Sequence, residues 1–426
     1  MIESETTKKI VSNTVYQLVG KLTTMAITVF ATILITRIYG REGYGEFSLM
    51  QSWPALFFII VDFGINAIAT RDLSKDFSKA GTYLGNILLM RVFFSIFLIS
   101  ILFFVLSFFP YSESLIFGIR LSLFLILTQA LFSSTNIIFQ TKLKYNYSTV
   151  SLISGYLLVF AVIIGVSYFK LPVMWISFGY VLGGLITFVV GLKFLKKLDV
   201  KLSFNVDLRL WKHLFITTLP LGVMFIFSQM SFKEDELLLS FLKLPKSYGL
   251  SNTESVAIYS LPYRVFEVAL VIPTFFMNST YPIMIQRMVE GKEKLIDIFY
   301  KSIRILLIAG VVAGLALMIV SPLIIKILGG SQFVQSVSVL QVLAVGLVFY
   351  YITQPLSWLI VTLDKQIYLP FIYFGVAGVN LILNLYFIPV YSFYGAAAIT
   401  GISEILILIL LIFAVKKAWK CKYDDF

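Results

Sequence analysis

Uncharged apolar runs of about 20 residues recur along this chain from one end to the other, and no other feature limits its fold as strongly. A helix of that length covers ~30 Å, the thickness of a bilayer's hydrocarbon core. Charge clusters and Gly or Pro residues punctuate the runs, and taking these as boundaries predicts twelve spans. The first six are 13–36, 45–65, 83–109, 115–138, 147–168 and 173–193; the second six are 214–232, 256–284, 302–326, 335–361, 367–388 and 395–415. The runs are continuous rather than alternating, which excludes a membrane β-barrel. No connection between spans exceeds about 25 residues, too short for a soluble catalytic domain to fold between them. With 59% of 426 residues hydrophobic and 13% charged, the chain lacks the polar surface a soluble protein of its length requires.

The net charge of +12 invites a nucleic-acid reading, but the position of the charges argues otherwise. The side that holds both termini carries 23 of the 34 Lys and Arg residues, against 7 on the other side. Such a split places both termini in the cytoplasm and accounts for most of the basicity without nucleic acid. The single cysteine, Cys421, allows no internal disulfide, and the single histidine, His213, lies in a basic loop. The polar start "MIESETTKKI" runs into a long span with no small-residue cleavage site, so it does not read as a cleaved signal peptide. No glycine-rich phosphate loop, nucleophile–base pair or metal-spaced His/Cys/Asp cluster is evident, so the chain reads as no enzyme and as needing no metal or organic cofactor. Any active transport would be driven by an ion gradient or a partner.

The halves resemble each other. "YGEFSLMQSW" (44–53) aligns with "VAIYSLPYRV" (256–265), "ILLM" (87–90) with "ILLI" (305–308), and "FLKK" (194–197) with "AVKK" (414–417). The offset stays near half the chain length. An even number of spans in each copy makes the repeat parallel, with a pseudo-twofold axis along the membrane normal. The predicted organisation is an N-lobe at 1–197, a cytoplasmic linker at 198–213 and a C-lobe with a basic tail at 214–426. A two-lobed transporter fits this pattern, with a duplicated structural bundle as the alternative.

Polar residues inside the spans are the candidate functional groups, since each is costly in hydrocarbon. Arg264 and Glu267 stand i,i+3 on the eighth span, either as a self-contained ion pair or as a partly neutralised cation facing a cavity. Lys21 and Arg91 lie near cytoplasmic span ends and could snorkel to the interface; Arg91 is the stronger candidate for that. Asn380 and Asn384 share one helix face, suited to interhelical hydrogen bonds or to head-group contacts. Pro389 is expected to end the eleventh span, with Gly395 and Ala396 to Ala398 opening a closely packed twelfth. Glu404, inside that last span, is left as a candidate for ion coupling. "KEDE" (233–236) reads as a solvated helix end, and Asp62 and Arg71 as loop charges. Gly20, Pro220 and Gly222 mark candidate bends.

Several stretches resemble one family. "ITRIYGREGYGEFSLMQSW", "DFGINAIATRDLS", "SVLQVLAVGLVFYYITQPLSWLIVTLDKQ" and "VNLILNLYFIPVYSFYGAAAITGISE" are similar to the polysaccharide-export, O-antigen-flippase branch of the multidrug/oligosaccharidyl-lipid/polysaccharide (MOP) superfamily. The resemblance covers nearly the whole chain. It implies an all-α integral membrane fold of two six-helix lobes in a bacterial cytoplasmic membrane. It also implies a cargo of undecaprenyl-pyrophosphate-linked oligosaccharide, contact with membrane lipids, Na+ or H+ as coupling ion, and a polysaccharide polymerase and chain-length regulator as partners. Tyr259, Arg264 and Glu267 resemble a cavity-lining pattern of the related lipid II flippases. Those typically have fourteen helices and several arginines in the first, whereas this chain has only Lys21 there, which disfavours lipid II as cargo. A cation-coupled multidrug exporter with Glu404 as its acidic group is the main alternative. A glycan polymerase or ligase would be expected to carry a large Arg- or His-rich outer loop, which the 233–255 segment is not.

Overall fold

The computed structural model describes the backbone of residues 2–423, and the side chains of that stretch apart from 2–14, 220–221 and 231–232. Every regular element among the described residues is helical: α1 (Ile2–Asp62), α2 (Ile65–Lys75), α3 (Ala80–Val105), α4 (Glu113–Thr141), α5 (Tyr145–Tyr168), α6 (Met174–Lys196), α7 (Leu208–Phe241), α8 (Asn252–Ala269), α9 (Val271–Glu290), α10 (Lys292–Leu328), α11 (Gln335–Thr362) and α12 (Tyr368–Tyr423). The chain divides into two compact units, Met1–Ile226 and Phe227–Phe426. The division falls inside α7, so the 198–213 connection packs with the first unit. By length and apolarity, nine helical stretches among the described residues could cross a membrane, or ten if the two segments of α7 are one span.

Two of these helices are too long for one pass. As a straight rod, α1 would extend about 90 Å, three times the hydrocarbon thickness. It breaks instead at Gly40, whose backbone (φ 65°, ψ −158°) suits a residue without a Cβ. Contacts on either side show the chain reversing. Before the break, Tyr16 O accepts from Thr149 Oγ1 at the start of α5 (2.9 Å), and Tyr39 OH donates to Leu171 O just past its end (2.7 Å). After it, Met50 lies against Gly118 at the start of α4, and Asp62 meets Ser133 towards its end. Since α4 and α5 are joined by a three-residue turn and packed antiparallel, the two arms of α1 also run in opposite senses.

The same logic holds for α12, which breaks at Ser392 (φ 51°, ψ −135°). Asn380 Nδ2 donates to Ser403 Oγ at 2.7 Å, and these residues flank Ser392 almost symmetrically. A Cβ at Gly395 would come within 2.8 Å of Phe387 O, so the arms meet closely at the turn. The expected end at Pro389 is therefore corrected: the helix continues through Pro389 and reverses three residues later. Counted as two passes each, α1 and α12 raise the number of candidate passes among the described residues above those nine or ten stretches.

Other boundaries also move. The residues around 65–75, read as the end of a span and a loop, form the amphipathic helix α2, which buries Ile65, Ile68, Ala69 and Leu73 on one face. The segment between α6 and α7 is clamped to α3. Asn86, fully buried, donates to Thr82 O and Asn205 O at 3.0 Å each. Its Oδ1 accepts from Asp207 N (2.8 Å) and Trp211 Nε1 (3.0 Å). Ser203 N reaches Gly81 O, and a Cβ on Gly81 or Gly85 would run into the carbonyls of Lys201 and Ser203. Glycine is required at both positions because only a bare Cα lets the connecting backbone approach this closely.

Candidate functional site

Each unit buries charge among its helices. In the first, Arg91 on α3 is wholly buried and forms an ion pair with Asp62, the last residue of α1, at 2.6 Å. Its other terminal nitrogen donates to Ser134 Oγ (2.9 Å) and Ala130 O (3.2 Å) on α4, while Asn66 Oδ1 accepts a further bond at 3.1 Å. Arg91 therefore does not snorkel and Asp62 is no loop charge; together they fasten the start of α2 to α3 and α4. Arg71 pairs with its neighbour Asp72 at 3.0 Å, and Asp72 also meets His213 Nε2 at 3.1 Å.

In the second unit the acid is Asp235, in the stretch expected to be a solvated helix end. That expectation is overturned. The helix α7 continues to Phe241, and Glu234, Asp235 and Glu236 are all buried. Asp235 Oδ1 accepts from Asn384 Nδ2 at 2.6 Å; Oδ2 accepts from Tyr259 OH at 2.5 Å and Thr400 Oγ1 at 2.9 Å. One carboxylate thus ties α7 to α8 and to both arms of α12, through neutral donors only. The network continues as Asn384 donates to Asn380 Oδ1 and Asn380 to Ser403. Both asparagines are used between helices, on the shared face their spacing gives them.

Beside this network lies a cavity of about 190 Å³, lined among others by Ser228, Gln354, Tyr373, Asn380, Thr400 and Glu404. That volume has room for several waters. Glu404 is buried, and its Oε2 has no hydrogen-bond partner among the described residues; the same is true of both carboxyl oxygens of Glu234. The donor set is all oxygen: carboxylate, amide and hydroxyl groups. Such groups suit a hard monovalent cation or a proton and not a thiophilic metal. No group of three or more His, Cys, Asp or Glu residues that could hold a metal ion occurs among the described residues.

Glu267 has Lys233 as an ion-pair partner, at 2.9 Å. The Lys233 ammonium lies 5.4 Å from the Tyr263 ring centre and within the electrostatic reach of Arg264 and Glu236. Two cations and two acids thus share the α7–α8 face. Lys21 is exposed. Gly20 packs on Thr149, where an added Cβ would approach the threonine methyl to 3.1 Å. The helix α7 bends by 53° between Leu208–Leu219 and Gly222–Met230. Gly222 sits there against the Phe63 ring, while the side chain of Pro220 lies outside the described ones.

The sequence reading missed Asp235 and Lys233 because four consecutive charges look like a surface. The signal against that was the apolar stretch "LLLSFL" immediately after them, which carries the helix on. Tyr259 stood in the reading only as part of a pattern around Arg264, and Thr400 was not singled out.

Comparison with known proteins adds to this geometry. The family model described as polysaccharide biosynthesis protein matches residues 10–288. No curated protein sequence matches the chain. Among solved structures, the chain is similar to the lipid II flippase MurJ in an inward closed conformation, with a TM-score of 0.76, 15% identity, and coverage of 95% of this chain and 87% of that one. It is also similar to an inward-facing multidrug resistance MATE family transporter of the MOP superfamily, with a TM-score of 0.75, 12% identity, and coverage of 93% and 96%. A third similar structure is a MOP superfamily transporter from Pyrococcus furiosus, with a TM-score of 0.67, 16% identity, and coverage of 97% and 95%.

Proposed function

The chain belongs to the polysaccharide biosynthesis protein family and has the fold of MOP-superfamily transporters, and on that premise we propose that it is a flippase for lipid-linked oligosaccharide. The cargo is an undecaprenyl-pyrophosphate-linked repeat unit, moved from the inner to the outer leaflet of a bacterial cytoplasmic membrane by alternating access, with both termini cytoplasmic. It would serve the assembly of a surface polysaccharide, working with a polymerase and a chain-length regulator.

The observation that carries the transport reading is the cavity inside the second unit, lined by Glu404 with amide and hydroxyl side chains, and joined to the buried Asp235 through Thr400 and Asn380, which belong to both the cavity wall and the Asp235 network. A chain without an ATP-binding motif needs another energy source. A site that binds Na+ or H+ inside a helical bundle provides one, because occupancy alters which helix packing is stable. The mixed-charge face of Lys233, Arg264, Glu236 and Glu267 suits a polar head group, in which Arg264 supplies a planar guanidinium fitted to phosphate oxygens.

The deciding experiment is deletion with complementation. Loss of the chain should abolish a surface glycan and leave its lipid-linked repeat on the inner leaflet. Arg264→Ala at normal membrane levels should fail to restore the glycan, and Arg264→Lys should restore part of it. Unchanged glycan with reduced dye or drug efflux would instead support a cation-coupled multidrug exporter, the reading that Glu404 in its cavity also favours.

A further inference from the structure

The connection between α6 and α7 carries a feature that transport does not account for. Its first half tucks Leu198, Val200 and Leu202 against the core of the first unit. Its second half presents Phe204, Val206 and Leu208 outward, at 56%, 59% and 71% exposure. Three large apolar side chains in a row on an aqueous loop would be a liability. The clamp on α3 sets their level. Asn86 and Gly85 stand one to two turns inside α3, whose start at Ala80 follows the exposed ion pair of Asp76 and Lys79. At 1.5 Å per residue the segment descends from about 2 Å below that start, where Ser203 N meets Gly81 O, to about 9 Å at Asn86, which holds Asn205 and Asp207, reaching the depth at which interfacial segments bury their apolar side chains.

A non-helical backbone is tolerated at that depth only if its polar groups are satisfied by protein. Asn86 meets Asn205 O and Asp207 N, and Gly81 O meets Ser203 N. Around the segment, residues 193–212 hold six Lys or Arg against two Asp. The six cations are exposed, while the Asp207 carboxylate caps α7 by accepting from Arg209 N and Leu210 N.

We propose that residues 203–208 form an interfacial keel that binds anionic phospholipid in the leaflet on the basic side of the molecule. Phe204, Val206 and Leu208 enter the upper acyl region, and Lys196, Lys197 and Lys201 meet the phosphates. The lone natural cysteine makes a direct test practical. In a Cys421→Ser background, a nitroxide is placed at Phe204→Cys, Val206→Cys or, as the aqueous reference, at Lys79→Cys in the exposed ion pair ahead of α3. The protein is reconstituted into nanodiscs of phosphatidylcholine alone or of an equal mixture with phosphatidylglycerol, and collision with oxygen and with a nickel chelate is measured by power saturation.

The oxygen-to-nickel ratio at 204 and 206 should exceed that at 79 several-fold, and phosphatidylglycerol should raise it further. In the Lys196→Gln, Lys197→Gln, Lys201→Gln variant the lipid composition should cease to matter. Nickel accessibility at 204 and 206 equal to that at 79 would put the segment in water and overturn the proposal. Protection from both oxygen and nickel would mean that protein covers the segment, and would overturn it equally. Immersion indifferent to phosphatidylglycerol in the unmodified background would remove the anionic-lipid assignment.

Discussion

Each unit of this molecule sets an acidic side chain among apolar helices, Asp62 partly buried and Asp235 fully, and the two are satisfied in different ways. Asp62 meets the guanidinium of Arg91 at 2.6 Å, so the local charge is cancelled. Asp235 meets an amide, a phenol and a hydroxyl, none of which carries charge. Neutral dipoles orient a carboxylate without discharging it, so Asp235 keeps an attraction for a cation that Asp62 has already spent on Arg91. The lesson is that burial alone does not mark a site; the charge of the partner does. The first cluster is a fastening; the second, with Glu404 and a cavity beside it, is where the proposed coupling ion would act.

The largest expected effect follows from breaking the fastening. Arg91→Ala takes the counter-ion from Asp62 and leaves only the Asn66 amide and the Ser133 hydroxyl donating to it, a change that costs up to about 3–5 kcal/mol, the range for a broken buried pair. Thermal unfolding of the purified protein and its level in the membrane should both fall sharply. Adding Asp62→Asn to an Arg91→Met variant should recover most of the loss, because no lone charge remains. A folded, active Arg91→Ala protein would erase the contrast between the units.

Asp235→Asn should do the reverse. The amide keeps the shape of the carboxylate and loses part of its bonding, at about 1.5–3 kcal/mol for a hydrogen bond to a charged group, and it leaves no lone buried charge, so the protein stays folded. Transport should nevertheless fall at least about tenfold, the factor set by 1.4 kcal/mol of lost ion binding at the site. An unfolding defect as large as that of Arg91→Ala would make Asp235 a second fastening. Glu404→Gln should act more gently. Stability should hold, because Oε2 has no described partner to lose, while the response of transport to an imposed proton or sodium gradient should flatten. An unchanged gradient response would remove Glu404 from the coupling.

Much of this was legible in the sequence, for physical reasons that can be named. Lipid imposes long apolar runs, so the spans could be read directly, and the i,i+4 spacing of Asn380 and Asn384 gave their common face before any contact was known. What could not be read was partnership across distant segments. Nothing local to Arg91 names Asp62, and nothing in "KEDE" names Tyr259, Asn384 and Thr400, which lie 24 to 165 residues away. Charge density misled there because burial is decided by packing and not by composition. The turn at Ser392 was placed early for a similar reason: proline is tolerated in a membrane helix when the freed backbone groups are satisfied nearby.

The finest comparison deletes one hydroxyl in each unit. Tyr39 OH donates to Leu171 O at 2.7 Å and approaches Val166 O at 3.2 Å, at the turn between α5 and α6 where solvent reaches the bond. Water can replace it, so Tyr39→Phe should cost about 0.5–1 kcal/mol and leave transport intact. Tyr259 OH serves the buried Asp235, where no water takes its place, and a hydrogen bond to a charged group contributes about 1.5–3 kcal/mol. Tyr259→Phe should therefore lower the unfolding temperature two to three times as far as Tyr39→Phe, and should weaken transport because Asp235 is left with fewer donors to hold its geometry. The ratio of the two shifts matters more than either alone, since the chemical change is the same atom. Equal shifts would mean that Asp235 draws no more from its phenol than a backbone carbonyl does, and the ionised carboxylate on which the contrast between the units depends would have to be given up.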